Sequence, residues 1–418
     1  VGGRRSALAG FRDLGLIVVL DEHDAAYGGE RPPYVHGREL ALAAAKVYQA
    51  SVVLASPTLD PSTLWRASRA KVRRFTLGQG TPATVEVVDL HQELSLGHSP
   101  VLTEPLERRL GAVLAAGEQA LLLLNRRGYA AVLMCRYCGT SIQCPHCTVA
   151  LSFHADTEEL RCHLCNFAMP RPLVCPRCRR AGLEELGAGV QSLAAEARRR
   201  SPQVRLARWD RDSAGTDKQA TDVVGRFQHG ELDVLVGTQL IAVEEGMPPV
   251  AFAAAALADV GLLLPDYRAA ERTYELLAAL QRRVRAGGRI LVQTYQPSHW
   301  VIRALAQGDS GIYYGEELRQ RQRLGYPPFR QLVRLTVRGN SRLRCQQEAE
   351  RLRQALSKRL AEVFPELTDA IVGPAPAYIE CVGDVYRWQI HLRVPQALPV
   401  LDVVPPHWLV EIDPETVR

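Results

Sequence analysis

Short unbroken apolar runs alternate with helical stretches from the start of the chain. Gly15–Leu20 reads as a continuous apolar strand, Arg38–Ala50 as a helix, Ser51–Ala55 as a strand and Val85–Leu90 as another. Strands apolar on both faces are those of buried parallel sheets, so residues 1–95 read as α/β. A second α/β stretch begins near Ser99, with a helix at Leu106–Ala116 and a strand at Ala120–Leu124 that runs into "NRRGYA" (Asn125–Ala130). A cysteine-rich stretch, Cys135–Cys178, interrupts it. The same pattern then resumes with helix Val190–Arg200, strand Val204–Trp209, helix Gln219–Gln228 and strand Leu232–Val236. A further apolar stretch, helix Ala269–Ala279 and strand Arg289–Thr294 follow. A module inserted into one α/β sheet explains why both flanks share a pattern.

"GYPPF" (Gly325–Phe329) is a hinge-like break. Beyond it Val333, Leu335 and Val337 alternate with Arg334, Thr336 and Arg338, the period of a half-exposed strand. A helix near Leu343–Ala361, strands near Ala370–Tyr378 and Arg387–Val394, a short helical turn and a strand near Trp408–Ile412 complete the chain. The order βαββαβ predicts a ferredoxin-like α+β domain. The segments expected are therefore 1–95, 96–134, the cysteine module 135–178, 179–324 and 325–418.

The 418 residues are 47% hydrophobic, ample for packed cores. The formal net charge is +6, and lysine occurs only at Lys46, Lys71, Lys218 and Lys358; arginine supplies the rest. Arginine clusters at 198–200, 282–283 and 319–323 read either as solvated surface or as phosphate contacts. No run of about 18 apolar residues exists, so no membrane span is expected; Val250–Pro265 comes closest and Asp259 breaks it. A signal-peptide pattern is absent as well, and the expected location is cytoplasmic. The chain starts at Val1 and enters a strand-like segment at once, which leads to the expectation that an N-terminal part precedes it.

Eight of the ten cysteines form four C-x-x-C knuckles: Cys135/Cys138, Cys144/Cys147, Cys162/Cys165 and Cys175/Cys178. Each knuckle aims two thiolates at one point, and two knuckles close a tetrahedral zinc site. The inner pair has zinc-ribbon spacing, C-x2-C-x14-C-x2-C, so the outer pair closes around it and two Zn²⁺ are expected. Five residues between the first two knuckles leave little chain to turn around one metal, which disfavours adjacent pairing. A disulfide framework is the alternative, and nothing secretory supports it. His146, His154 and His163 are read as packing or surface residues, Cys345 and Cys381 as isolated thiols. Sites closed by four thiolates are structural, with no chemistry at the metal.

These residues carry a family resemblance. The chain resembles the bacterial PriA family of replication-restart helicases (primosomal protein N-prime). The carriers are "LGLIVVLDEHDAAY", "VVLASPT", "LLLLNRRGYA", the knuckle series, "WDRDS", "VLVGTQLIA", "DYRAAER" and "GPAPAYI", in family order across nearly the whole chain. The resemblance implies an α/β fold of two RecA-like helicase lobes, the first partial, with an inserted double zinc-knuckle module and a C-terminal ferredoxin-like domain. It also implies ATP and Mg²⁺ as cofactors. The implied partners are branched DNA at stalled replication forks, primosome proteins with the replicative helicase loading machinery, and single-stranded DNA-binding protein.

A motor of this kind needs a P-loop lysine on the phosphates, an acid on Mg²⁺ and an arginine at the transition state. None of the four lysines follows a glycine, so the chain holds no G-K-[ST]. The family's acidic box, D-E-E-H-D, corresponds to the stretch Asp21, Glu22, His23 and Asp24. The anchors on both sides match without a gap, and they put Leu20 where the Mg²⁺-holding Asp belongs. A one-residue slip bringing Asp21 there would flip every neighbouring side chain, so substitution is the favoured reading. The arginine-supplying motif is shortened to "ALQRRVRAGGR", with Gln281, Arg282, Arg283 and Arg285 nearby. Ser56-Pro57-Thr58-Leu59 departs from S-A-T-P, Gly189-Val190-Gln191 from G-T-E, and Val243-Glu244-Glu245 from K-G-x. The zinc cysteines are all retained while the motor parts are altered. The expectation is a restart scaffold with unwinding lost or weak, Asn125, Arg126 and Arg127 being candidates for DNA backbone contact. The alternatives are an active 3′-to-5′ helicase with divergent motifs and a zinc-stabilised protein-interaction module.

Overall fold

The structure is a computed structural model. It describes residues 2–417 except 4, 5, 7, 8, 30–33, 71, 78–82, 100, 125–130, 148, 156, 186–189, 211–216 and 245. The chain divides into two compact units, one made of residues 1–75, 163–167 and 317–418, the other of residues 76–162 and 168–316.

In the first unit β1 (Leu16–Leu20) pairs in parallel with β2 (Ser51–Ala55), joined by α1 (Gly37–Tyr48) and followed by α2 (Pro61–Arg69). The helix starts are set by side chains that satisfy free backbone N–H groups. His36 Nδ1 accepts from the Arg38 N–H at 3.1 Å, and an Asp60 carboxylate oxygen accepts from the Ser62 N–H at 2.6 Å, with Pro61 in the first turn.

The second unit opens with β3 (Thr84–Asp89), α3 (Leu90–Ser95), α4 (Glu104–Ala115) and β4 (Ala120–Leu123). The cysteine module contributes β5 (Ala131–Cys135), β6 (Ser152–His154), β7 (Glu159–Arg161), β8 (Ala168–Pro170) and β9 (Leu183–Glu185). Then come α5 (Val190–Arg200), β10 (Leu206–Trp209), α6 (Asp217–Gln228), β11 (Val234–Gly237), α7 (Leu240–Val243) and β12 (Val250–Ala255). The unit ends with α8 (Asp259–Leu262), α9 (Ala269–Arg282), β13 (Val284–Thr294), α10 (Trp300–Gln307) and residues 310–316 of α11 (Ser310–Leu324). Its main sheet is parallel throughout, in the order β10-β11-β4-β12-β13-β3. The strands at its centre are apolar on both faces: Leu121, Leu122, Val234, Val236, Ala253 and Ala254 have no exposed surface. Gln293 and Thr294 are polar and fully buried at the end of β13, and Gln293 bridges three neighbours. Its amide donates to the Val101 and Ala256 carbonyls at 3.0 and 2.7 Å, and its oxygen accepts from the Thr103 hydroxyl at 2.6 Å.

This sheet corrects one expectation. The strand read at Val85–Leu90 as part of residues 1–95 is β3, and it lies in register beside β13, Thr84 opposite Arg289 through Asp89 opposite Thr294. The division between the first two segments therefore falls near residue 76, not residue 95. Apolar periodicity announces a strand but does not say which sheet takes it. Val250–Pro265, the most apolar stretch, is β12 with the short α8, and no helix among the described residues is long and apolar enough to cross a membrane.

The C-terminal domain comprises β14 (Gln331–Gly339), α12 (Arg342–Val363), β15 (Ile371–Val382), β16 (Val385–Val394) and β17 (Leu409–Ile412). Its antiparallel sheet has the order β15-β16-β14-β17, the ferredoxin-like arrangement expected, with the second helix reduced to a 3-10 turn at Leu398–Val403. Leu352, Leu356 and Leu360 of α12 pack on Val333, Leu335, Ile390 and Leu392.

Gly237 ends β11, where a Cβ would lie 2.4 Å from the Trp209 carbonyl oxygen. Backbone cannot give way as a flexible side chain does, so Gly237→Ala should destabilise the second unit by about 2 kcal/mol. A denaturant midpoint equal to that of the parent would contradict this close packing.

Candidate metal centre and the acidic box

The insert leaves and rejoins the main sheet through β5 and β9, which pair antiparallel with Cys135 opposite Leu183. This ladder brings the first and fourth knuckles to the same place. Cys135, Cys138, Cys175 and Cys178 form one group of four sulfurs and Cys144, Cys147, Cys162 and Cys165 another, each within 4.8 Å of one another. The pairing is nested in the sequence, the first knuckle with the fourth and the second with the third. All eight are free thiols.

The outer group has the dimensions of a zinc site. A tetrahedron with Zn–S bonds of about 2.3 Å has edges of roughly 3.8 Å. Cys135 Sγ lies 3.6 Å from Cys178 Sγ, and Cys138 Sγ lies 3.6 Å from Cys175 Sγ, so the residues fit the metal. The two outer knuckles repeat one backbone pattern. Gly139 N–H donates to the Cys135 carbonyl at 2.8 Å and Arg179 N–H to the Cys175 carbonyl at 2.9 Å. Cys135 N–H donates to the Thr140 carbonyl and Cys175 N–H to that of Arg180, both at 2.9 Å. Gly139 (φ 62°) also meets the lobe closely, since a Cβ there would lie 2.9 Å from the His91 ring and from Tyr295 Cβ. None of His146, His154 and His163 belongs to either group; His163 is buried, its ring 5.1 Å from that of Tyr378.

The acidic box is dispersed. β1 pairs with β2 in unbroken register, Leu16 opposite Ser51 through Leu20 opposite Ala55, with no bulge. Leu20 ends the strand, 62% exposed, and Asp21 leaves it in the left-handed region (φ 47°). That turn sends Glu22 inward, where it is fully buried. Its Oε1 accepts from the Asp60 N–H at 2.8 Å, and its Oε2 accepts from Arg38 at 2.7 Å and the Thr63 hydroxyl at 2.9 Å. Arg38 also lies 3.3 Å from Asp60. Burial works to lower the Arg38 guanidinium, but the carboxylates of Asp60 and Glu22 outweigh it and hold the group above its ordinary value. His23 Nδ1 lies 2.6 Å from the Ser56 hydroxyl, and Asp24 caps the 3-10 turn Ala25–Tyr27. At the position matching the family's Mg²⁺-holding acid Leu20 offers no oxygen, both oxygens of Glu22 accept hydrogen bonds, and Asp21 stands exposed just beyond the strand end.

The arginines near the shortened motif serve the frame. Gln281 donates to the Ala83 carbonyl and Arg283 to that of Ala242, both at 2.9 Å, while Arg285 pairs with Glu118. Arg282 lies in the last turn of α9. Asn125, Arg126 and Arg127 lie outside the described residues, as do Gly189 and Glu245. A network that periodicity does not reveal sits in "DYRAAER". Arg268 holds the fully buried Glu271 through two contacts of 2.8 Å, and Arg272 reaches Asp266 at 3.2 Å. Its only sequence signal is an i,i+3 charge pair amid apolar neighbours.

Residues 144–170 match the family model described as the PriA DNA helicase Cys-rich region domain. Residues 322–403 match the Primosomal protein N C-terminal domain. The chain is 31% identical to the replication restart protein PriA of Bacillus subtilis, covering 95% of this chain and 49% of that protein. It is 32% identical to the PriA proteins of Synechocystis and Treponema pallidum, covering 96% and 97% of this chain and 50% and 61% of those proteins. The chain thus spans about half the length of the curated relatives it matches. Among solved structures, S. cerevisiae Dbp5 bound to RNA and ADP BeF3 aligns at a TM-score of 0.34 with 10% identity, covering 77% of this chain and 66% of that one.

Metal analysis of the purified chain should give two zinc ions per polypeptide, and Cys175→Ser should leave one; a parent value of one or none would contradict the two-site geometry. Glu22→Ala should destabilise the chain by roughly 3 kcal/mol because it strips a buried guanidinium of a partner. Asp21→Asn, at an exposed position whose left-handed backbone asparagine also suits, should stay within about 0.5 kcal/mol of the parent. Equal unfolding midpoints for the two variants would show that the Glu22 pair does not support the fold.

Proposed function

We infer that this chain, which belongs to the PriA replication-restart family along the stretch it spans, binds branched DNA and serves primosome assembly as a scaffold, with ATP-driven unwinding lost or weak. One observation carries the reading. The position that should hold Mg²⁺ is an exposed leucine at a strand end, and the next acid but one is locked in a buried ion pair. Magnesium coordination needs free carboxylate oxygens, and Glu22 has none to spare. All eight zinc thiols are kept at the same time. Selection on the fold retains the thiols whether or not nucleotide is hydrolysed, whereas the motor residues have no such protection.

The partners in this reading are forked DNA at stalled replication sites, other primosome proteins with the machinery that loads the replicative helicase, and single-stranded DNA-binding protein. The setting is the cytoplasm. The zinc ions hold the module's shape and take no part in chemistry.

One feature favours a second reading, that of an active helicase with divergent motifs. Asp21 stands just beyond the C-terminal end of a parallel strand, the edge at which open α/β sheets bind their ligands.

DNA-stimulated ATP hydrolysis by the full-length gene product separates the two. The scaffold reading expects a rate indistinguishable from the protein-free background with forked DNA present. Turnover of about 1 s⁻¹ or faster would replace it with the helicase reading. Forked DNA should bind at low salt and weaken steeply as salt rises, as phosphate contacts require.

A further inference from the structure

The two groups of four cysteines differ in what their knuckle tips carry. In the inner site the residues between the cysteines are Pro145, His146, His163 and Leu164, with no arginine. In the outer site the corresponding residues are Arg136, Tyr137, Pro176 and Arg177, and the fourth knuckle continues directly into Arg179 and Arg180. Zinc closure needs only the cysteines, so the tetrahedral site does not explain the arginines.

Arg179 sharpens the contrast. In the three knuckles where the residue after the second cysteine is described, that residue turns back in the left-handed region: Gly139 at φ 62°, Asn166 at φ 63° and Arg179 at φ 62°. Glycine and asparagine suit that region and a long L side chain does not. A strained residue kept where a better-suited type is available points to a role other than folding. Arg179 is exposed and, among the described residues, has no ion-pair partner.

Its neighbours are held in place around it. Arg177 donates to the Thr140 hydroxyl at 3.1 Å, across the site on the first knuckle. The Arg180 guanidinium lies 5.2 Å from the centre of the Tyr137 ring, which fits against the chain because Gly182 has no side chain there. Arg136 is the one member matched to an acid, Glu184 at 3.0 Å. Arg177, Arg179 and Arg180 thus present three exposed guanidinium groups, uncompensated by an acid, on a turn made rigid by metal ligation. Guanidinium is the side chain best matched to phosphate oxygens, and preorganisation lowers the entropy lost on binding.

We propose that the rim of the outer zinc site, formed by Arg177, Arg179 and Arg180, is a binding surface for the sugar-phosphate backbone of DNA. This assigns a site to the DNA binding inferred above and rests on that reading. The test is titration of labelled forked DNA with the zinc-loaded chain across a range of salt concentrations. The parent is compared with Arg179→Gly and with the triple variant Arg177→Ala, Arg179→Gly, Arg180→Ala. Arg179→Gly relieves the left-handed strain, so its thermal midpoint should equal or exceed the parent's while its affinity falls. The triple variant should keep two zinc ions, bind at least about tenfold more weakly at low salt, and lose about two to three phosphate contacts from its log-log salt slope. Parent-like affinity and slope in the triple variant would overturn the assignment and leave DNA binding itself standing. Failure of the parent to bind forked DNA at low salt would overturn the DNA-binding reading and the site with it.

Discussion

Tetrahedral thiolate closure is the constraint on which the middle of this molecule depends. Between residues 135 and 185 the regular structure consists of strands only three to five residues long. Elements that short cannot bury enough apolar surface to offset their ordering entropy. Metal ligation supplies the difference, structural zinc being worth on the order of 10 kcal/mol at neutral pH. The outer site sits where β5 and β9, the first and last strands of the insert, pair with each other. Loss of any one of Cys135, Cys138, Cys175 and Cys178 would loosen that junction as well as a metal.

The acidic box obeys a different logic. Its residues are retained in sequence but redistributed among local tasks by the turn at Asp21. Glu22 joins α1, α2 and the end of β1 through Arg38, Asp60 and Thr63. A buried ion pair of this kind costs desolvation and returns it only when every oxygen and N–H finds a partner. Here both Glu22 oxygens and the Nε and Nη1 groups of Arg38 find partners, and the pair serves the fold. The stretch that most resembles a motor part is in practice a clamp between two helices and a strand.

Much of this was legible in the sequence. Apolar runs of four to six residues announced the parallel strands, the knuckle spacings gave the nested pairing, and the alternation after Phe329 gave the ferredoxin-like order. Three features were not legible, each because it depends on partners distant in sequence. β3 has the pattern of any buried strand, and only its register beside β13 places it. Glu22 stands in a run of four polar residues, and its inward direction comes from one positive φ at Asp21. The charges of "DYRAAER" look like a solvated helix start until Glu271 is found with no exposed surface. In all three, local pattern supplied the element and tertiary packing supplied the role.

The central claim is that the chain holds DNA through a zinc-built architecture uncoupled from nucleotide. Coupling between two ligands is measured by how far one changes the affinity for the other. The direct measurement is the Kd of forked DNA for the zinc-loaded full-length gene product, taken with and without saturating Mg-ATP. The account predicts the same Kd in both conditions. A shift of about tenfold or more on adding Mg-ATP would contradict it.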